Sequence, residues 1–374
     1  MKIGIDARLW DQTGVGRYIR NLCINLQKID KKNHYVIFAQ SQDLENIKSE
    51  INNPKWKIVI ADIRWHSISE QISFSSIISK ENPNLMHFPY FSLPIFYNKP
   101  YVVTIHDLII NHFPTGKAST LFPIFYYLKL LSYKFIIYMG AKNAKAIITP
   151  SNATKQEVMD HLKVDSNKIA VTLEASDENI SKQDLSKNQK IVSGKYFLFV
   201  GNAYPHKNLE NLLDSFRDIK KELEDVKLVL VGNNDYFYER IKKRVEKMNI
   251  SKDVIFFGKA TDEELSYLYK NALSLIMPSF MEGFGLPVLE AMANKCLVLC
   301  SDIPSLREIA GKNAIYFSPQ NKEEIKKALK KAYYKDYKNE ILENAFRLSK
   351  NFSWEKTAEE TLKIYESCIS IRQG

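Results

Sequence analysis

Short β-branched runs alternate with segments of helical apolar spacing along almost the whole chain, and they do so in two series. Strands that each lead into a helix cannot close as hairpins. They build parallel sheets with helices laid over both faces. In the first series the strand candidates are 2–5, 35–39, 57–61, 85–88, 101–105 and 146–149, with helices such as 16–29 and 152–161 between them. In the second they are 196–200, 227–231, 254–257, 273–277, 298–301 and 314–317, with helices over 208–223, 236–248, 261–271, 285–294, 305–310 and 322–333. Residues 174–194 are polar, charged and without periodic apolar content, which marks an interdomain linker. The prediction is an α/β chain of two doubly wound, Rossmann-like domains, 1–173 and 195–352, facing across a cleft. Ligands of such sheets sit beyond the carboxyl ends of the strands. A last helix follows within 353–374, with Ser353 as its N-cap and Trp354, Ala358, Leu362, Tyr365 and Ile369 on one face.

The 374 residues suit two domains, and 45% hydrophobic with 26% charged residues is the profile of an ordinary folded protein. Disorder, collagen and coiled coil are excluded. The four cysteines form no C-x-x-C pair and are too sparse for a disulfide-stapled fold, so a reducing compartment is expected. Lys2, Asp6 and Arg8 interrupt the N-terminus where a signal peptide needs an apolar core, and the uncharged run 82–98 is broken by three prolines. A cytoplasmic location follows as the expectation. Residues 1–173 hold 21 Lys and Arg against 13 Asp and Glu, so most of the net charge of +10 lies in the first half. That asymmetry fits attraction to lipid headgroups, a lipid pyrophosphate or nucleic acid, and equally a composition rich in lysine throughout.

The richest segment for chemistry is 279–291, SFMEGFGLPVLEA. A strand ends just before it, glycines follow, and Pro287 occupies a first helical turn, where its missing N–H costs nothing. The helix start offers unpaired amides, reached closely past Gly283 and Gly285, as a seat for a diphosphate. Glu282 in the loop and Glu290 about one turn into the helix can then hold hydroxyls to either side. A second phosphate element, FVGNAYPHKNL at 199–209, sets Lys207 after Gly201 and ahead of a helix, where its charge meets a departing diphosphate. In the first half Gly14 and Gly16 stand between the first strand and its helix and permit close approach of a ligand, although the segment is not G-x-G-x-x-G. His106 follows the strand at 101–105 and faces the same end of its sheet.

Together the Glu282 to Glu290 loop and helix, the Gly201 to Lys207 turn, the Gly14 to Gly16 loop, His106–Asp107 and Phe352–Ser353–Trp354 resemble the retaining glycosyltransferases of family four, which have the GT-B fold. The likeness spans nearly the whole chain. It implies an acceptor-side first domain, a nucleotide-sugar-binding second domain, and a C-terminal helix that packs back on the first. It further implies that Glu290 holds the nucleotide ribose and Glu282 the hydroxyls of the donor sugar, with Gly283, Phe284, Gly285 and Leu286 along the same donor-binding loop. Lys207 binds the diphosphate, His106 touches the transferred sugar, and Gly14 and Gly16 approach the phosphates; His106, Lys207 and Glu282 are the catalytic candidates. Such enzymes usually need no metal cofactor, and the chain offers no D-x-D motif in the turns concerned. Many members carry an arginine where this chain has Asn202 or His206. His206 replaces it only if protonated.

The resemblance implies transfer of a hexose from a nucleotide sugar to a hydroxyl acceptor with retained anomeric configuration, by a front-face route. The Tyr204 to Asn208 form resembles bacterial mannosyltransferases of surface polysaccharide and lipopolysaccharide O-antigen synthesis, which favours GDP-mannose as donor. The acceptor it implies is a saccharide, free or carried on polyprenyl diphosphate. Residues 113–145, aromatic with Lys117, Lys129, Lys134, Lys142 and Lys145 interspersed, suit a helix lying on the inner face of the cytoplasmic membrane, or one packed in the first domain with lysines reaching outward. Two alternatives are a nucleotide-sugar epimerase of similar architecture and a basic nucleic-acid-binding protein. The glutamate-pair loop speaks against the first, and the diphosphate seat speaks against the second, so no nucleic-acid partner is expected.

Overall fold

The computed structural model describes residues 1–114, 123–177, 191–223, 225–335 and 340–370. Most of the predicted linker, part of the aromatic and lysine segment with Lys117, and residues 371–374 lie outside that set. The chain divides into two compact units, Met1–Glu174 with Ser353–Gly374, and Ala175–Phe352.

In the first unit the strands β1 (Lys2–Asp6), β2 (His34–Ala39), β3 (Trp56–Ile60), β4 (Leu85–Phe88), β5 (Tyr101–Thr104), β6 (Ala146–Thr149) and β7 (Ile169–Val171) form one parallel sheet in the order β3-β2-β1-β4-β5-β6-β7. Strands buried on both faces need no polar alternation, so Tyr101 to Thr104 and Leu85 to Phe88 are buried without a break. The three-residue β7 is too short to stand out as a periodic run, and the sequence reading passes over it. Helix Thr13–Ile29 turns Tyr18, Ile19, Leu22, Cys23 and Leu26 inward at helical spacing. The terminal helix Trp354–Ser370 packs against it, with the rings of Trp354 and Tyr18 at 6.0 Å. Ser353 accepts from the amide of Lys356, as an N-cap does, and the Tyr365 hydroxyl meets His87 Nδ1 at 2.6 Å. The last helix is thereby part of the first unit.

The second unit repeats the plan with β8 (Lys195–Val200), β9 (Val226–Val231), β10 (Val254–Gly258), β11 (Ser274–Met277), β12 (Val298–Ser301) and β13 (Ile315–Phe317), all parallel, in the order β10-β9-β8-β11-β12-β13. Each sheet grows outward from its first strand and then restarts on the other side of it. The strand order therefore reverses between β1 and β4 in one unit and between β8 and β11 in the other. Loops that leave the carboxyl ends of these paired strands are forced apart and leave room for a ligand.

One packing feature escaped the sequence reading. The Arg8 guanidinium, 2% exposed, sits between Asp6 (2.7 Å) and Glu70 (2.7 Å), with the Phe74 ring 3.7 Å beneath it. Burial alone weakens its proton affinity, but the two carboxylates outweigh that and raise it further above its ordinary value. Removing one member of such a buried set leaves charge without compensation. Arg8→Met is expected to destabilise the first unit by about 3–5 kcal/mol, read from urea unfolding; a change below about 1 kcal/mol would contradict this account.

Candidate functional site

In the second unit β8 and β11 run side by side, with Ser274 beside Phe197 and Leu275 beside Leu198. The loops that leave them are consequently neighbours. After β8 the backbone turns at Gly201, whose φ is +150°, and Gly232 crosses so close that a Cβ there would lie 2.2 Å from the Gly201 carbonyl. A 3-10 turn, Pro205–Lys207, then ends at Asn208 with φ +60°. The Asn208 amide donates to the carbonyls of Pro278 (2.9 Å) and Pro319 (2.7 Å), and the Phe280 N–H donates to the His206 carbonyl (2.8 Å). These bonds fasten the turn to the loop after β11.

That fastening sets Lys207 Nζ at 2.8 and 2.9 Å from the two carboxylate oxygens of Glu282. Side-chain exposures of 13% and 8% place the pair mostly out of water, where opposite charges depend on each other. Gly285, with φ +121°, begins helix Leu286–Ala293, and a Cβ on it would come within 2.6 Å of Leu306. Pro287 lies in the first turn as predicted. At this helix start Pro287 has no N–H and the Val288 N–H donates to the Gly285 carbonyl at 2.9 Å, so the backbone of Gly283, Phe284, Gly285 and Leu286 is what the opening presents. Glu290 is only 2% exposed; its Oε2 accepts from the Tyr269 hydroxyl at 2.8 Å. The two glutamates thus have different companions, a cation for Glu282 and a phenol for Glu290.

The sequence reading lets His206 stand in for an arginine only if it is protonated. Burial, with the Lys207 charge beside it, pushes the imidazole down to about 4, against which the Glu282 charge works only partly. It is neutral near pH 7 and replaces no arginine. Asn202 instead uses its side-chain oxygen to accept from the Tyr204 N–H at 3.3 Å, which shapes the turn.

In the first unit Gly14 and Gly16 both lie in helix Thr13–Ile29, the helix that follows β1. A Cβ on Gly16 would lie 2.3 Å from the Trp10 carbonyl, so the fold itself requires glycine there. At Gly14 a Cβ would meet nothing within 4 Å, so packing makes no such demand. His106 stands two residues beyond β5. Its Nδ1 is 2.9 Å from Glu174 and its Nε2 2.9 Å from the Pro89 carbonyl. A carbonyl only accepts, so Nε2 is the donor in that contact, and Nδ1 faces the carboxylate. Burial opposes the charge, but Glu174 prevails and raises the proton affinity. The sequence reading set Glu174 at the start of the linker; it is buried in the first unit and orients this ring. Tyr269 and Glu174 had no local signature, because each acts through a partner distant in sequence.

Residues 12–173 match the family described as Glycosyltransferase Family 4, and residues 181–349 match Glycosyl transferases group 1. The O-antigen chain mannosyltransferase RfbU of Salmonella typhimurium is 28% identical over 267 residues, 71% of this chain and 69% of its own length. Sucrose-phosphate synthase of Thermosynechococcus elongatus superposes with a TM-score of 0.81 at 18% identity, covering 99% of this chain and 100% of that one. Alr3699/HepE of Anabaena, solved with UDP and glucose, gives 0.76 at 13% identity over 98% and 100%. These two likenesses concern the fold.

A buried neutral histidine opposes acid. His206, with a folded value near 4 against about 6.5 when exposed, contributes stability that is complete above about pH 6.5 and is lost as pH falls toward 4. His66, at about 4, and His87, at about 3, act in the same sense, each chiefly through burial. Melting temperature is expected to fall over that interval, and His206→Asn to flatten the fall. An unchanged pH slope in the variant would show that His206 is not held neutral.

Proposed function

Because the chain belongs to the glycosyltransferases whose two family domains it carries, we propose that it transfers mannose from GDP-mannose to a saccharide, with the paired loops after β8 and β11 as the donor site. The observation that carries this reading is the Lys207 and Glu282 contact next to the start of helix Leu286–Ala293. A cation, a helix start and two acidic side chains suit a ligand with a doubly charged centre and hydroxyls at both ends.

In this reading the diphosphate draws the Lys207 ammonium away from Glu282. The freed carboxylate accepts hydroxyls of the donor sugar, and Gly283, Phe284, Gly285 and Leu286 line the phosphates with backbone. Glu290 receives the ribose hydroxyls while Tyr269 fixes its rotamer. A carboxylate offers about four acceptor sites, so the Tyr269 bond leaves it capacity for more. Gly201 and the neutral His206 shape the turn. His106, oriented by Glu174, is the proposed sugar-binding residue of the first unit.

The step itself breaks the anomeric C–O bond to the diphosphate and forms a bond from the acceptor oxygen on the same face. The leaving phosphate oxygen takes the acceptor proton, so configuration is retained and charges balance. Lys207 and the helix amides carry the charge that grows on the diphosphate, without a metal cofactor. RfbU, named for O-antigen chain mannosyl transfer, supports the choice of mannose and of a surface-glycan acceptor.

The acceptor is proposed to be lipid-linked and reached from the inner membrane surface. No helix among the described residues is long and apolar enough to cross a membrane. Helix Pro123–Asn143, however, leaves Tyr127, Leu128, Leu131, Phe135 and Tyr138 between 38% and 64% exposed, beside the exposed Lys129, Lys134 and Lys142. Exposed rings among lysines suit anionic headgroups.

Lys207→Ala is expected to lower turnover about 10²–10³-fold, and Glu290→Gln to lower kcat/KM about 10–100-fold, in an assay across nucleotide sugars in which GDP-mannose alone is consumed. Wild-type turnover in the Lys207 variant would overturn the site. The protein is expected to float with anionic vesicles in a salt-sensitive way, and Leu131→Glu with Phe135→Glu to remain at the bottom of the gradient; equal flotation of both would overturn the membrane reading.

A further inference from the structure

Among the described residues one group of three metal-ligating side chains converges, and all three belong to the first unit: His112, Glu157 and His161. Glu157 and His161 are four residues apart on helix Asn152–Leu162, hence on one face of it. His112 closes the short helix Ile109–His112 and comes from a different part of the chain. Nε2 of His112 lies 2.6 Å and Nε2 of His161 3.3 Å from the same oxygen, Oε2 of Glu157. The two rings stand at 88° with centroids 4.8 Å apart, and the three ligand atoms all fall within 4.8 Å of one another.

We propose that His112, Glu157 and His161 bind one divalent transition-metal ion, zinc in the first instance. Zinc bonds of about 2.0–2.2 Å set the edges of a tetrahedron near roughly 3.4 Å. The His161 to Glu157 separation already has that value, and the His112 to Glu157 separation reaches it with a movement of less than about 1 Å. All three side chains are about one-third exposed, so rotation supplies that movement without repacking. Two imidazoles and one carboxylate suit zinc, nickel or copper; magnesium and calcium call for oxygen donors. Water completes the shell. The ion would clamp helix Ile109–His112 to helix Asn152–Leu162. The same two segments flank His106, whose carbonyl accepts from Thr154 Oγ1 (3.3 Å), and Asp107, whose carboxylate accepts from the Ile109 N–H (3.0 Å). The role is structural and separate from sugar transfer.

The test uses the full chain with any affinity tag removed, stripped by chelator and titrated with zinc chloride in a calorimeter. One equivalent is expected to bind, with a rise in melting temperature. His112→Ala and His161→Ala are each expected to weaken binding about tenfold or more, whereas His34→Ala, an exposed histidine elsewhere, leaves it unchanged. Cobalt is expected to give a visible absorption band that is lost in the double variant His112→Ala with His161→Ala. Because the replaced rings are partly exposed, metal-free melting of each variant should match the parent, which separates lost ligation from lost folding. Absence of zinc binding in the parent, or binding that survives in the double variant, would overturn the proposal.

Discussion

Everything at the candidate site depends on β8 and β11 being parallel neighbours in the middle of their sheet. Residues near 200 and near 280 are far apart in the chain, yet the register of Phe197 with Ser274 and Leu198 with Leu275 delivers both following loops to one place. The side chain of Asn208 and the amide of Phe280 then fix the turn and the loop against each other. Only with that frame in place can Lys207 address both oxygens of Glu282.

The electrostatics of the site follow from the same frame. A lysine and a glutamate that are both mostly withdrawn from water hold each other in place, and neither is strongly stabilised by solvent in isolation. The neighbouring His206 experiences the opposite effect: the same burial and the same lysine keep it uncharged. In the first unit burial also opposes the charge at His106, but there Glu174 raises the proton affinity. Two buried histidines are therefore shifted in opposite directions because one faces a cation and the other an anion.

Much of the fold could be read from periodicity. The strands at 85–88, 146–149 and 298–301 have the predicted limits, since apolar runs bounded by turn residues leave few alternatives. Helices Leu44–Glu50 and Glu340–Ser349 were not anticipated, because each is short and carries a mixed pattern whose apolar side is defined only by what it packs against. At the site, Glu282, Gly285, Pro287 and Glu290 were legible from a loop-to-helix pattern confined to a dozen residues. Tyr269 and Glu174 were not, as nothing local distinguishes a phenol or a carboxylate that acts 21 or 68 residues away.

The amino-acid sequence by itself determined the two α/β series, the start of the helix at Gly285 and Pro287, and the presence of a lysine and two glutamates near strand ends, because backbone propensity and apolar spacing act over a few residues. Tertiary structure alone decided which carboxylate meets the lysine, that the proton affinity of His206 is lowered and that of His106 raised, and that His112 joins Glu157 and His161. Those outcomes depend on burial and on distances between atoms remote along the chain, and neither quantity exists until the sheets have formed.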